Sequence, residues 1–152
     1  MYWLLDSEPV GVSAFTLPLE MKDPIGHNNL VASFKFADGS IGNFTYCTVG
    51  SRSSQGERVE AFMPGGGIVA EDFKKLFVRT GSKQRVQSRL WPAKGYLEQM
   101  RSFISRIREG ESPEVTVIDG ARATIGALMM LESARTLQFL SIDVMETLRR
   151  RD

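Results

Sequence analysis

The side chains best suited to chemistry are sparse. His27 is the only histidine and Cys47 the only cysteine, so a zinc site built from His and Cys ligands cannot be assembled. A Cys–His nucleophilic pair would require the two to meet within hydrogen-bond reach. His27 instead belongs to a Pro/Gly/Asn loop that suits exposure, and Cys47 to a strand where a thiol is usually a small packed residue. Gly65-Gly66-Gly67-Ile68-Val69-Ala70 fits the loose form of the dinucleotide-binding fingerprint. That fingerprint works only where its glycines open a helix whose N-terminus meets the pyrophosphate, with an acidic residue about 20 positions on. Here Ile68-Val69 favour a strand, and the later stretch reads Val86-Gln87-Ser88-Arg89-Leu90, so the glycines are expected to turn a hairpin. Glu71 with Asp72, and Glu57 with Glu60, are carboxylate pairs that strand spacing sends to opposite faces. Asn43-Phe44-Thr45 matches a glycosylation sequon, discounted in a strand of a chain with no secretion signal. No nucleophile elbow or phosphate-binding loop occurs, and the chain carries no catalytic constellation.

The elements that would position such residues are those of an ordinary globular chain. At 152 residues, 42% hydrophobic and 24% charged, it is the size of a single domain and long enough to bury a core without metal or disulfide staples. A formal charge of +1 gives no electrostatic reason to expect nucleic acid or an anionic membrane as partner. One cysteine rules out an internal disulfide and suits a reducing compartment, hence an expected cytoplasmic location. No apolar run approaches the about 18 residues of a membrane-spanning helix. The basic end, Arg149 to Arg151, reads as a solvated helix terminus.

Met1-Tyr2-Trp3-Leu4-Leu5 resembles the last turn and a half of an amphipathic helix, stopped before Pro9. An isolated turn is unstable because nucleation is costly, so the natural protein is expected to extend upstream of Met1. Val10 to Leu17 alternates as a short strand, and Pro18 to Asn29 is a loop. Leu30 to Ala37 and Ser40 to Val49 flank Asp38-Gly39, a strong hairpin signal. A type I turn with Gly39 as a left-handed bulge pairs Phe36 with Ser40, Phe34 with Gly42 and Ala32 with Phe44. This register gathers Leu30, Phe34, Phe36, Phe44 and Tyr46 on one face and Ser33, Lys35, Asn43, Thr45 and Cys47 on the other, whereas a one-residue slip scatters the aromatics.

Glu57 to Met63 and Ile68 to Phe73 form a second hairpin, and Lys75 to Arg79 with Arg85 to Trp91 a third. Tyr96, Leu97, Met100, Phe103, Ile104 and Ile107 then predict an amphipathic helix over Lys94 to Arg108. Thr116-x-x-Asp119 predicts the start of a longer helix, Ile118 to Leu137, with Ala121, Thr124, Ile125, Leu128 and Leu131 facing inward. Gln138 to Val144 alternates as a final strand. Hairpins followed by helices make an α+β pattern, an open and largely antiparallel sheet with helices on one face.

Four segments taken in order resemble the C-terminal domain of the Gfo/Idh/MocA oxidoreductases. They are Leu30-Val31-Ala32-Ser33-Phe34-Lys35-Phe36-Ala37-Asp38-Gly39-Ser40-Ile41-Gly42, Glu57-Arg58-Val59-Glu60-Ala61-Phe62 with its glycine turn, Asp119-Gly120-Ala121-Arg122-Ala123-Thr124, and Glu132-Ser133-Ala134-Arg135. The resemblance spans nearly the whole chain and implies that residues 1–152 are one α+β substrate and dimerisation domain. It also implies that the NAD(P)-binding Rossmann domain lies outside the sequence, and that the substrate is a sugar, cyclitol or related polyol oxidised or reduced by hydride transfer. The family's lysine, in a Glu-Lys-Pro-like motif, belongs to the Rossmann half. Its Asp-x-x-x-His pair would lie just upstream of Met1, since Tyr2-Trp3-Leu4-Leu5 is similar to the turn after that histidine.

The family's substrate-facing loop corresponds to Gly50-Ser51-Arg52-Ser53-Ser54-Gln55-Gly56. This makes Ser51 and Arg52 candidate substrate-binding residues, with Lys94 and Tyr96 from a second region that reaches the pocket. A flexible loop, and core packing for Tyr96, are the plainer readings of those positions. The resemblance further implies a homodimer through the open sheet face. Two other readings stand beside it: a stand-alone binding or assembly module of the same fold, and a small enzyme built on His27 and Cys47.

Overall fold

A computed structural model describes residues 1–17, 29–49, 51 and 56–149. In chain order the elements are Tyr2–Leu5 (α1), Pro9–Thr16 (β1), Asn29–Phe36 (β2), Ile41–Cys47 (β3), Arg58–Met63 (β4), Gly66–Glu71 (β5), Lys75–Thr80 (β6), Lys83–Ser88 (β7), Tyr96–Glu109 (α2), Val117–Thr136 (α3), Leu140–Ser141 (β8) and Val144–Arg149 (α4). The α+β expectation holds, with every strand pair among the described residues antiparallel. The strands divide into two four-stranded sheets, β3-β2-β1-β8 and β4-β5-β6-β7. These belong to two units, Met1–Gly50 with Val115–Asp152, and Ser51–Glu114. No described helix is long and apolar enough to cross a membrane.

In the first unit the β2–β3 hairpin has the bulged register the alternation predicts. Phe34 pairs with Gly42 and Ala32 with Phe44, the Phe36 N–H donates to the Ser40 carbonyl at 2.9 Å, and Gly39 sits at φ 90°. That backbone region is closed to most L-residues and open to glycine. Asp38 accepts the Ser40 N–H at 3.0 Å and its hydroxyl at 2.8 Å, bonds that hold the Asp38 carboxyl below its ordinary pKa. Phe44 and Tyr46 stack on one face. On the other, the Ser33 hydroxyl meets the Asn43 carboxamide oxygen at 2.8 Å.

Helix α3 covers the apolar face, and Val12, Ala14, Leu30, Ala32, Ile125, Met130, Ala134, Ile142 and Val144 form the core. Fully burying a Val- or Leu-sized side chain contributes roughly 1.5–3 kcal/mol, so this cluster holds the helix to the sheet. The capping box is present: the Thr116 hydroxyl accepts the Asp119 N–H while the Asp119 carboxylate accepts the Thr116 N–H. The predicted stripe is met in part: Ile125 is buried and Ala121 and Leu131 pack half-buried against the core, whereas Thr124 faces solvent. The buried positions of α3 are Ile125, Gly126, Met130, Ser133 and Ala134, and Leu128 is 56% exposed. Small residues let the helix approach the sheet, and Ser133 fixes its rotation through hydrogen bonds described below.

The final strand is shorter than the alternation suggests. Only Leu140 and Ser141 pair with β1, after which α4 begins with the Asp143 carboxylate accepting the Glu146 N–H at 2.8 Å. Cys47 is exposed, contrary to the packed-thiol expectation, because it lies on the uncovered face of the edge strand β3.

The second unit is a four-strand meander plus α2. The glycine run lies in a hairpin, with Gly65 at φ 77° in the turn between β4 and β5 and Gly66-Gly67 opening β5. Gly66 faces the Arg79 carbonyl oxygen so closely that a Cβ there would stand 2.5 Å from it. The β5–β6 turn, read from sequence as strand, uses two non-glycine residues at positive φ, Asp72 (49°) and Phe73 (52°). Along α2 the apolar stripe is as expected, but Leu97, Met100, Phe103, Ile104 and Ile107 are all exposed.

Candidate functional site

Two constellations of polar side chains stand out, one in each unit. In the second, the segment Arg89–Tyr96 between β7 and α2 is braced on the β5–β6 turn. The Arg89 N–H donates to the Lys74 carbonyl at 2.8 Å and the Ala93 N–H to the Phe73 carbonyl at 3.0 Å. Lys94 Nζ lies 3.1 Å from the Glu57 carboxylate and 5.8 Å from the centre of the Phe73 ring. The hydrogen bond to Glu57 raises the Lys94 pKa, so the ammonium is charged throughout the neutral range. The Glu57 carbonyl in turn accepts the Asp72 N–H at 2.7 Å. Phe73, strained in the left-handed region, is thus held from two sides. Residues 89–98 wall an open concavity of about 660 Å³, where Tyr96 is 70% exposed and Trp91 81%.

Of the residues the sequence singles out, Lys94 and Tyr96 share this concavity, and Ser51 is exposed. Arg52, His27 and most of the 50–56 loop lie outside the described residues. Core packing of Tyr96 is corrected: its ring is out in solvent because α2 has just begun and nothing in its own unit covers that turn. What sequence reasoning missed was Glu57 as the partner of Lys94, 37 positions away. A carboxylate just after the candidate loop was the one available signal.

In the first unit, Tyr2, Glu8, Asp119 and Arg122 form a closed cluster. Arg122 Nε lies 2.8 and 3.0 Å from the two Glu8 oxygens and Nη2 2.6 Å from one of them, a bidentate grip. Its Nη1 lies 2.8 Å from Asp119, and the guanidinium stacks over the Tyr2 ring at 5.5 Å. The grip of Glu8 raises the Arg122 pKa. Asp119 is held down to about 2, chiefly by the Thr116 hydroxyl and N–H, with smaller help from the Tyr2 hydroxyl and Arg122. Desolvation, then the hydrogen bond to Asp119, raise Tyr2. Beside the cluster lies a mostly apolar recess of about 290 Å³ whose walls include Phe34, Phe36, Phe44 and Met130. Neither constellation presents an activated nucleophile, and among the described residues no three His, Cys, Asp or Glu side chains converge as metal ligands.

No family model matches the sequence, and no curated protein matches it. Solved structures do. The aldose-aldose oxidoreductase of Caulobacter crescentus, crystallised with glycerol, is 17% identical with a TM-score of 0.76, over 93% of this chain and 43% of its own. An oxidoreductase from Agrobacterium radiobacter, in complex with NAD+, L-tartaric acid and magnesium, is 12% identical with a TM-score of 0.76, over 96% of this chain and 46% of its own. Levoglucosan dehydrogenase, in complex with NADH and L-sorbose, is 20% identical with a TM-score of 0.72, over 90% and 45%. The chain thus spans less than half the length of each. These structures are oxidoreductases of the Gfo/Idh/MocA type, and the chain has the α+β fold of the part of them that it matches.

Proposed function

We propose that this chain is the C-terminal, substrate-shaping and dimerising part of an NAD(P)-dependent oxidoreductase of sugars or cyclitols, and that it does not perform the chemistry alone. The observation that carries this reading is the asymmetry of the match: 93% of this chain against 43% of an aldose-aldose oxidoreductase. What remains of such an enzyme must hold the dinucleotide. The chain's own glycine run does not fit that task, because it turns a β-hairpin and opens no helix. A Rossmann domain preceding this one in the parent protein supplies NAD or NADP and the groups that move the proton.

In this reading Ser51, Arg52, Lys94 and Tyr96 are the polyol-binding residues. Lys94 is suited to donate to a hydroxyl oxygen, being charged and held by Glu57. The uncovered face of β1–β3, with Phe15 60% and Ile41 73% exposed, meets a second copy in an isologous contact. A contact of standard size buries about 1,600 Å² in total.

The test is expression of the full-length parent and of this chain by itself. The parent reduces NAD(P) with a polyol among a panel of aldoses and cyclitols, whereas the isolated chain turns nothing over. A parent lacking any dinucleotide domain, yet binding a polyol, would move the reading to a stand-alone binding module. Turnover by the isolated chain would refute the division of labour altogether.

A further inference from the structure

The first eight residues are fastened at more points than a four-residue helix would need for its own sake. The Tyr2 ring is stacked against the Arg122 guanidinium. The Met1 side chain lies over Gly42 of β3, where a Cβ would stand 2.4 Å from its sulfur. The Asp38 N–H donates to the Ser7 hydroxyl at 3.1 Å, and the Ala37 N–H to the Glu8 carbonyl at 2.9 Å. Arg122 then closes the loop by gripping Glu8 with Nε and Nη2 and Asp119 with Nη1. Helix α1, the β2–β3 turn and the start of α3 are thereby locked into one arrangement, and every one of these contacts lies within a single unit.

We infer that Arg122 is a positioning residue: through Tyr2 and Glu8 it fixes the direction in which the chain enters β1, and with it the placement of the reactive groups on the polypeptide leading into α1. This rests on the reading above, in which those groups precede this domain. A guanidinium suits the task because its planar fork grips one carboxylate bidentately, reaches a second, and offers its face to an aromatic ring. A lysine supplies the charge without the fork. Tight placement matters because a misplacement of roughly 1 Å far from the chemistry lowers rates by about a hundredfold.

The test uses the full-length protein. Arg122→Gln is expected to lower kcat about tenfold or more while leaving KM for the polyol within about twofold, with Arg122→Lys intermediate. Arg135→Gln, on the same helix and paired among the described residues only to Glu132 three residues before it, is the silent control. Tyr2→Leu, a milder change that keeps an apolar side chain, is expected to shift kcat in the same direction. Hydrogen exchange of residues 2–8 is expected to quicken in both Arg122 variants. If Arg122→Gln exchanges faster there yet keeps its kcat, or if kcat and KM fall together with the melting temperature, the positioning role is overturned and the oxidoreductase reading survives. A wild-type parent with no NAD(P)-dependent turnover of any polyol overturns both.

Discussion

Ser133, on α3, completes the hydrogen bonding of Ala14, on β1, 119 positions away. The Ala14 N–H donates to the Ser133 hydroxyl oxygen at 3.0 Å, and the Ser133 hydroxyl donates to the Gln138 carbonyl at 2.6 Å. Strand β8 pairs with β1 only at Gly11 and Val12, so the next outward N–H of β1, that of Ala14, has no strand to meet. A side chain that is 1% exposed stands in for the missing strand and ties the helix to the sheet edge. Ser133→Ala strips a buried N–H and a carbonyl of their partner. Such a loss costs about 1–3 kcal/mol, to be read as a lower urea midpoint with unchanged slope.

Gly66 and its neighbour Gly65 serve different purposes, and substitution separates them. A Cβ at Gly66 would press on the Arg79 carbonyl, a backbone atom that cannot swing away, whereas one at Gly65 meets nothing within 4 Å. Gly65→Ala suffers only the strain of its positive φ, about 1–2 kcal/mol. Gly66→Ala is expected to cost more and to disrupt the β5–β6 pairing, seen as faster amide exchange at Arg79 and Thr80 than in Gly65→Ala.

What was legible in the sequence was local. Asp38-Gly39 and the alternation around it determine the β2–β3 register because a slip would expose aromatics, and Thr116-x-x-Asp119 announces α3 through a cap closed within four residues. The rotation of α3 was legible only in part, because it depends also on the Ser133–Ala14 bond across most of the chain. Helix α4 had a signal, Asp143-x-x-Glu146, that the alternation of Gln138 to Val144 masked. The Asp72-Phe73 turn gave none, since Phe at positive φ is held by Ala93 and Lys94 from another element. Of the candidate site, Lys94 and Tyr96 were nameable from the resemblance, but the ion pair that orients Lys94 joins residues 37 apart. Arg122 had one local partner, Asp119 three residues before it, but the partners that tie it to α1 and β1, Tyr2 and Glu8, lie at the other end of the chain.

The proposed self-association is open to a single substitution. Ile41 is 73% exposed on the face it shares with Ser33, Asn43 and Cys47. Its removal from water would contribute to a contact, and a charge in its place would be buried without a partner. Ile41→Lys is expected to weaken dimerisation by at least about tenfold while the melting temperature of the dilute protein is unchanged. Sedimentation velocity across a concentration series checks this, and a wild type monomeric at every concentration would dispose of the dimer.

The Asp119 cluster makes stability depend on acid in a defined window. In the folded chain Asp119 titrates at about 2 against an ordinary 3.8, so the unfolded chain binds the proton first as pH falls. The sign follows by linkage: the contribution is fully present above about pH 4 and is lost progressively down to about pH 2. Asp38 and Glu132, also held below their ordinary values, add to the same slope. Asp119→Asn removes the titrating group and the carboxylate that the Thr116 N–H and Arg122 require. The variant is therefore expected to be less stable at pH 7 and to lose less on going from pH 5 to pH 2.5 than the wild type does. Urea unfolding of both proteins at those three pH values decides it, and parallel pH curves would show that Asp119 is not the residue setting the acid limb.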